Sequence, residues 1–204
     1  MKKSIVSLVV FFVFNIVNAQ DIKYGVKGGT NLSIFTGDVG GNGDVKAKIG
    51  YQAGGFVNFK LNDKFSLQPE LVYSTQGVER KNINVVYQGV TYSGEGKVKL
   101  DYVYLPVMMQ YFILKKTFLE FGSQVGVLVS AKAETTFSGS TAETDVKDRF
   151  KSMDVGLNAG AGYQFTEQLS LGIRYNVGLT NISNLEGNYT IHNSILTLSA
   201  GYAF

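Results

Sequence analysis

Few residues in this chain are suited to chemistry. His192, the only histidine, stands two positions before Ser194 in the run His192-Asn193-Ser194. On an extended backbone, residues two apart share a face. A base would then lie beside a hydroxyl, the arrangement that activates serine toward an acyl ester. A third group, a carboxylate to orient the imidazole, completes such sites, and no spacing in the sequence designates one. The bland alternative is a boundary histidine at lipid-headgroup depth. With one histidine and no cysteine, multi-histidine metal centres, zinc ribbons and iron–sulfur sites are excluded. Gly156, Gly160 and Gly162 share one parity, but no helix pattern follows them as a nucleotide loop requires. Catalytic, cofactor-binding and metal-binding residues are therefore expected to be absent.

Charged residues on one parity carry more information. Lys23, Lys27 and Arg174, with Glu70, Glu120 and Asp154, fall on the polar positions of alternating segments. Gln52, Gln68, Gln124, Asn158 and Asn176 share that parity. Three positive and three negative charges inside a narrow enclosure would have to pair, because an isolated buried charge is costly. Arg174 is expected at the centre, bridging Glu70 and Glu120, since a guanidinium fork serves two carboxylates.

The segments that position these groups read as strands. From Leu169 to Thr180, Leu169, Leu171, Ile173, Tyr175, Val177 and Leu179 alternate with Ser170, Gly172, Arg174, Asn176, Gly178 and Thr180. That is a period of two. Met153 to Phe165 repeats it, with Gly156, Asn158 and Gly160 on the polar side. Such segments give eight strands, at about 22–33, 48–60, 65–78, 97–113, 118–131, 152–165, 169–182 and 192–204. Tight turns fall at Leu61 to Lys64, Leu114 to Thr117 and Thr166 to Gln168. Longer polar loops fall at 34–47, 79–96, 132–151 and 183–191. Long dyad strands joined alternately by short turns and long loops predict an all-β fold, an eight-stranded antiparallel transmembrane up-and-down β-barrel. In a soluble barrel the apolar parity would point inward. Here the polar parity, rich in Gly, Gln and Asn, suits a small crowded lumen, and the aliphatic parity suits lipid. Tyr24, Phe59, Phe65, Tyr111, Phe121, Tyr163, Phe165, Tyr202 and Phe204 all fall at strand ends beside the tight turns or termini, as an aromatic girdle would.

The N-terminus is organised differently. Met1-Lys2-Lys3 precedes the apolar run Ile5 to Val17 and then Val17-Asn18-Ala19, the layout of a signal peptide cleaved after Ala19. Residues 1–19 are thus read as the signal and 20–204 as the barrel domain. The run is shorter than the ~20 residues a spanning helix needs. The 204 residues carry 19 basic and 16 acidic side chains. Loss of Lys2 and Lys3 leaves 17 basic residues, so charge gives no warrant for a nucleic-acid partner.

The terminal Tyr202-Ala203-Phe204 resembles the aromatic signal of outer-membrane barrels that their assembly machinery reads. The run Lys23 to Ser33 is similar to the first strand of the PorT-like, "porin family" outer-membrane barrels of Bacteroidota. Tyr102 to Phe112, with Leu105-Pro106-Val107, resembles that family's fourth strand, and Gly160 to Tyr163 its sixth. The family often has an acidic residue two before the Pro, where this chain has Tyr104. The resemblance implies a Gram-negative outer-membrane location, contact with outer-membrane lipid and the assembly machinery, and a non-enzymatic monomer without cofactors. In that reading the barrel is an anchor, and its surface loops serve envelope or surface interactions. Two alternatives stand beside it: a narrow pore, and a membrane-embedded hydrolase acting on lipid A, since an outward His192/Ser194 pair resembles the site of lipid A deacylases.

Overall fold

Period-two sequence becomes strand almost everywhere. The computed structural model describes residues 22–38, 44–87, 90–137, 140–185 and 190–204. The proposed signal segment, 1–19, lies outside them. Nine strands follow in order: β1 (Ile22–Gly37), β2 (Asp44–Lys60), β3 (Phe65–Tyr87), β4 (Val90–Phe112), β5 (Thr117–Phe137), β6 (Ser140–Asp145), β7 (Met153–Gln164), β8 (Leu169–Gly178) and β9 (Ile191–Ala203). Eight of them close a ring of antiparallel pairs, β1-β2-β3-β4-β5-β7-β8-β9 and back to β1. β6 pairs with β5 alone. Closure leaves no edge within the ring, the condition for a sheet in hydrocarbon.

The register sets the dimensions. Directly paired residues lead from Ile22 through Phe59, Leu67, Met109, Phe121, Ala159, Tyr175 and Leu196 back to β1 at Leu32, ten residues beyond the start. With eight strands, a rise of ~3.3 Å per residue and a spacing of ~4.8 Å, that offset gives a tilt of about 41° and a backbone radius of about 8 Å. Side chains from opposite walls therefore meet at the axis.

Alternation decides which face is which. Along β7, Met153, Val155 and Leu157 are exposed while Asp154, Gly156 and Asn158 are buried. Along β8, Ile173 and Tyr175 are exposed and Arg174 and Asn176 buried. The apolar parity faces outward, the reverse of a soluble barrel. At the short-turn end, outward aromatics pack in pairs: Phe65 with Tyr111 and Tyr163 with Phe165, both 5.0 Å between ring centroids, and Tyr202 with Phe204 at 5.7 Å. The turns are closed by local acceptors. Asn62 Oδ1 accepts from the Lys64 and Phe65 amides, and Thr166 Oγ1 from those of Gln168 and Leu169.

The expected long loops need correction. The stretch 79–96 is mostly strand, because β3 and β4 stay paired up to Tyr87 and Val90. Glu79–Lys97 (3.4 Å) and Lys81–Glu95 (3.9 Å) bridge the two strands. Beyond them the sequence is rich in β-branched residues and Tyr, which favour strand even where both faces are polar. The stretch 132–151 continues β5 to Phe137, returns as β6 and ends in a short 3-10 turn at Lys147–Arg149. The stretch 34–47 extends β1 to Gly37 and begins β2 at Asp44. β8, in contrast, stops at Gly178 rather than 182, because the Leu179 and Thr180 amides both turn onto the Val155 carbonyl. In β3, Gly77 has a φ of 133°. A side chain there would press on the Val98 carbonyl.

Candidate functional site

The lumen holds the chemistry, and it is filled in layers. Nearest the short turns lies a polar cavity of about 70 Å³, lined in part by Lys23, Asn58, Gln110, Gln164 and Ser170. Above it lies an ionic layer. Arg174 Nε and Nη2 donate to Glu120 Oε1 and Oε2 at 2.6 and 3.0 Å. Its Nη1 and Nη2 donate to Glu70 Oε2 and Oε1 at 2.9 and 2.8 Å. Lys27 Nζ donates to both Glu70 oxygens at 2.9 and 3.1 Å, and Gln68 Nε2 adds a bond at 2.9 Å. Two cations and two carboxylates thus neutralise one another with their side chains nearly out of solvent. Charge-assisted bidentate bonds of this length are the strong class.

Gly160 makes the bridge possible. It stands on β7 between Glu120 on β5 and Arg174 on β8. A Cβ there would sit 2.5 Å from the Ile173 carbonyl oxygen and 3.0 Å from Glu120 Oε1. Gly156 and Gly162 likewise yield space, to Asn176 and the Phe118 ring. All three face the lumen, and strand follows them rather than helix.

Next come neutral amides. Asn176 Nδ2 donates to Asn158 Oδ1 (3.2 Å), and Asn158 Nδ2 to Gln124 Oε1 (3.1 Å). Asn31 binds Ser74 Oγ, two backbone carbonyls and the Thr197 hydroxyl. Higher still, Gln76 Nε2 donates to Tyr104 Oη (2.9 Å), which donates to Asp154 Oδ2 (2.7 Å). Asn193 Nδ2 donates to the same oxygen (2.8 Å). The mouth at the long-loop end is then closed by a buried apolar cluster. Phe35, Val78, Leu100 and Leu128 from the wall meet Val146 and Ile182 from the connecting segments. Two backbone bonds, Lys151 to Ile182 and Asn184 to Arg149, tie those segments together.

Four of the six expected lumen charges form one network, with Arg174 bridging Glu70 and Glu120. Two do not join it. Lys23 lies at the short-turn rim, where Nζ reaches the Glu167 carbonyl at 3.5 Å. Asp154 is 1% exposed, and its only hydrogen-bonding side chains among the described residues are neutral. Tyr102, Tyr104 and Gln76 were not anticipated. The signal was available, since Tyr102, Tyr104 and Met108 share the parity of the polar Gln110.

His192 and Ser194 do not assemble a catalytic pair. Ser194 is buried, and its Oγ contacts Thr36 Oγ1 at 3.4 Å rather than the imidazole. His192 Nδ1 is buried without a hydrogen-bond partner among the described residues. At the outer rim, Lys99 pairs with Glu134, and Lys132 with Glu143 at 2.6 Å. The hydrogen bond from Lys132, ahead of its charge, holds the exposed Glu143 carboxyl below the usual carboxylate range.

A family model described as outer membrane protein beta-barrel domain matches residues 18–184. The chain belongs to that family. This outer-membrane barrel is also similar to the crystal structure of neisserial surface protein A, at 14% identity and a TM-score of 0.52, covering 89% of this chain and 97% of that one. Ail, the attachment invasion locus protein of Yersinia pestis, is similar at 15% identity and a TM-score of 0.49, covering 90% and 99%. OprG of Pseudomonas aeruginosa is similar at 14% and 0.40, covering 90% and 94%. At these identities the likeness is one of fold. No curated protein matches the chain.

Proposed function

We propose that this outer-membrane barrel is a non-enzymatic anchor that holds the β3–β4 and β5–β6 hairpins in position for contact with envelope or surface partners. One observation carries the reading: the wall is closed by its own side chains, while β3 and β4 continue as a paired, ion-bridged hairpin well past the ring. A lumen filled in this way argues against a diffusion pore, since water-filled porins use about 16–18 strands. Ser194 turned onto Thr36 argues against the hydrolase. In this reading Met1 to Ala19 is a cleaved signal, the short turns and termini face the periplasm, and Phe204 serves assembly. The barrel is a monomer of the PorT-like type.

The test replaces residues 79–96 with a short turn and applies surface crosslinking in the native host. The shortened barrel should still resist SDS until heated, because the eight-stranded ring below residue 79 stays closed, and should lose the partners that the full-length chain captures. Retention of all partners would overturn the hairpin's role. A change in lipid A acylation on deleting the gene would overturn the non-enzymatic reading.

A further inference from the structure

Among the described strands, β6 alone has a neighbour on one side only. It pairs with β5, and the strand order ends at it. β5 carries β7 along its short-turn half, from Thr117 to Val127, and β6 along its far half, from Lys132 to Phe137. β6 therefore stands above the end of β7. The next place round the ring lies above β8, which stops at Gly178, and no described strand fills it. All six residues of β6, Ser140 to Asp145, are exposed. One bond tells which backbone groups meet that open side. The Val146 amide donates to the Ala131 carbonyl at 3.0 Å, and the same register runs from Lys132 with Asp145 to Phe137 with Ser140. In an antiparallel ladder, bonded and non-bonded pairs alternate. Ser140, Ala142 and Thr144 thus bond β5, while Thr141, Glu143 and Asp145 turn their N–H and C=O groups outward. The strand contains neither Pro nor Lys, two residues by which exposed edges are blunted.

The side chains define what fits beside this edge. Thr141, Glu143 and Asp145 share one face, and Ser140, Ala142 and Thr144 the other. The cations around the first face are held on its inner side. Lys132, on β5, donates to Glu143 at 2.6 Å. Lys99, one strand further in, pairs with Glu134. Lys147 and Arg149 belong to the 3-10 turn that leaves the strand, and Lys147 Nζ donates to the Val129 carbonyl. The outermost row is therefore one threonine and two carboxylates. Opposite charges directly across a strand pair are favourable and like charges are not. On the second face, Ala142 and Thr144 are small enough to leave room for β-branched side chains on a neighbour.

We propose that β6 is a docking edge for an extended segment of a partner protein, basic at alternate positions, which adds to the sheet as an antiparallel strand opposite Thr141, Glu143 and Asp145. The proposal rests on the reading of the raised hairpins as contact elements, and it names the class of partner. Backbone bonds to three residues hold the segment, and the spacing of its lysines or arginines against Glu143 and Asp145 selects it.

The probe is a capped heptapeptide of alternating lysine and valine, added to the full barrel in zwitterionic phosphatidylcholine nanodiscs, with amide exchange read residue by residue. At a free peptide concentration ten times the dissociation constant, exchange at the Thr141, Glu143 and Asp145 amides should slow roughly tenfold. N-methylation of the peptide's lysines, whose amides face β6, should abolish the effect. N-methylation of its valines, whose amides point away, should not. Glu143→Lys sets a like charge against the peptide and should abolish the effect too, with the heat-dependent shift in SDS showing that the barrel is folded. Unchanged exchange at the three amides would overturn the proposal. Equal binding of the lysine-methylated peptide would overturn it by assigning the contact to charge alone, and so would binding retained in Glu143→Lys. In the native host, partners lost with residues 79–96 but kept in Glu143→Lys would overturn this edge and leave the wider reading of the hairpins standing.

Discussion

Replacing Arg174 with Ala removes the centre of the ionic layer, and the cost follows from what is left behind. Four short bonds disappear, two to each carboxylate. Glu70 retains Lys27 and Gln68. Glu120 retains no direct ion pair among the described residues, and its side chain is only 7% exposed. Breaking a buried pair from one side costs about 3–5 kcal/mol, because the surviving charge is stranded. The figure applies at full weight here, since solvent reaches neither partner well enough to screen it. The assay is equilibrium urea unfolding from lipid vesicles, comparing wild type, Arg174→Ala, Glu120→Gln and the double variant. If the stranded charge is the cause, Glu120→Gln should be harmful alone yet restore part of the loss when added to Arg174→Ala. A loss below about 1 kcal/mol in Arg174→Ala, the range of a surface pair, would refute the reasoning. So would a double variant no more stable than Arg174→Ala.

Further outcomes follow from other layers. Gly160→Val should drive a branched side chain between Glu120 and Arg174 and cost about 2–3 kcal/mol, measured by the same unfolding. In planar bilayers wild type should give no sustained conductance, and Arg174→Ala alone should stay closed, because the apolar cluster around Val146 and Ile182 remains; steady large steps would contradict the layered lumen. At the rim, the folded state lowers the Glu143 carboxyl through Lys132. Its contribution is therefore present above the unfolded value of about 4.3 and fades as pH falls through the folded one. The protection of the Thr144 amide, relative to its intrinsic exchange at each pH, should fall as pH drops below the unfolded carboxylate range, and Lys132→Ala should remove that dependence.

The sequence made the wall legible and the connections much less so. Along β7 and β8 the separation by parity is complete, so the sequence alone assigns their outward and inward residues. Arg174, mid-strand on the polar parity, followed from that assignment. β4 hid its inward face, because Val98, Leu100, Tyr102, Tyr104 and Met108 are as apolar or aromatic as the outward Leu105 and Val107. Polarity is mixed on both parities of that strand, and Gln110 is the residue that marks the inward one. The hairpin beyond Val78 failed for the opposite reason: once both faces meet water, polarity no longer distinguishes strand from loop. Ile182 was read as the end of a strand and Val146 as part of an open loop, since nothing local announces that a connecting segment will fold back over the mouth. Asp154 was assigned the right face but the wrong kind of partner, because pairing by charge count ignores height along the axis. Arg174 lies with Glu120, several residues nearer the short turns.

The long β3–β4 hairpin has a mechanical consequence. At a tilt of about 41° each strand residue climbs about 2.5 Å along the barrel axis. Among the residues of β3 whose exposure is described, Tyr73 is the last exposed aromatic on the outer face, and the strand runs on to residue 87. If the tilt persists, the far end of the hairpin stands about 35 Å above that aromatic, several times the thickness of a headgroup layer. A partner pulling there loads both strands together, so the hairpin is not peeled open from its tip. The force passes down into the seams that β3 makes with β2 and β4 with β5, whose hydrogen bonds lie across the direction of pull. Bonds loaded in that geometry share the tension and must yield as a group. The hairpin is thus mounted like a mast stepped through a deck, and the closed wall beneath it takes the strain.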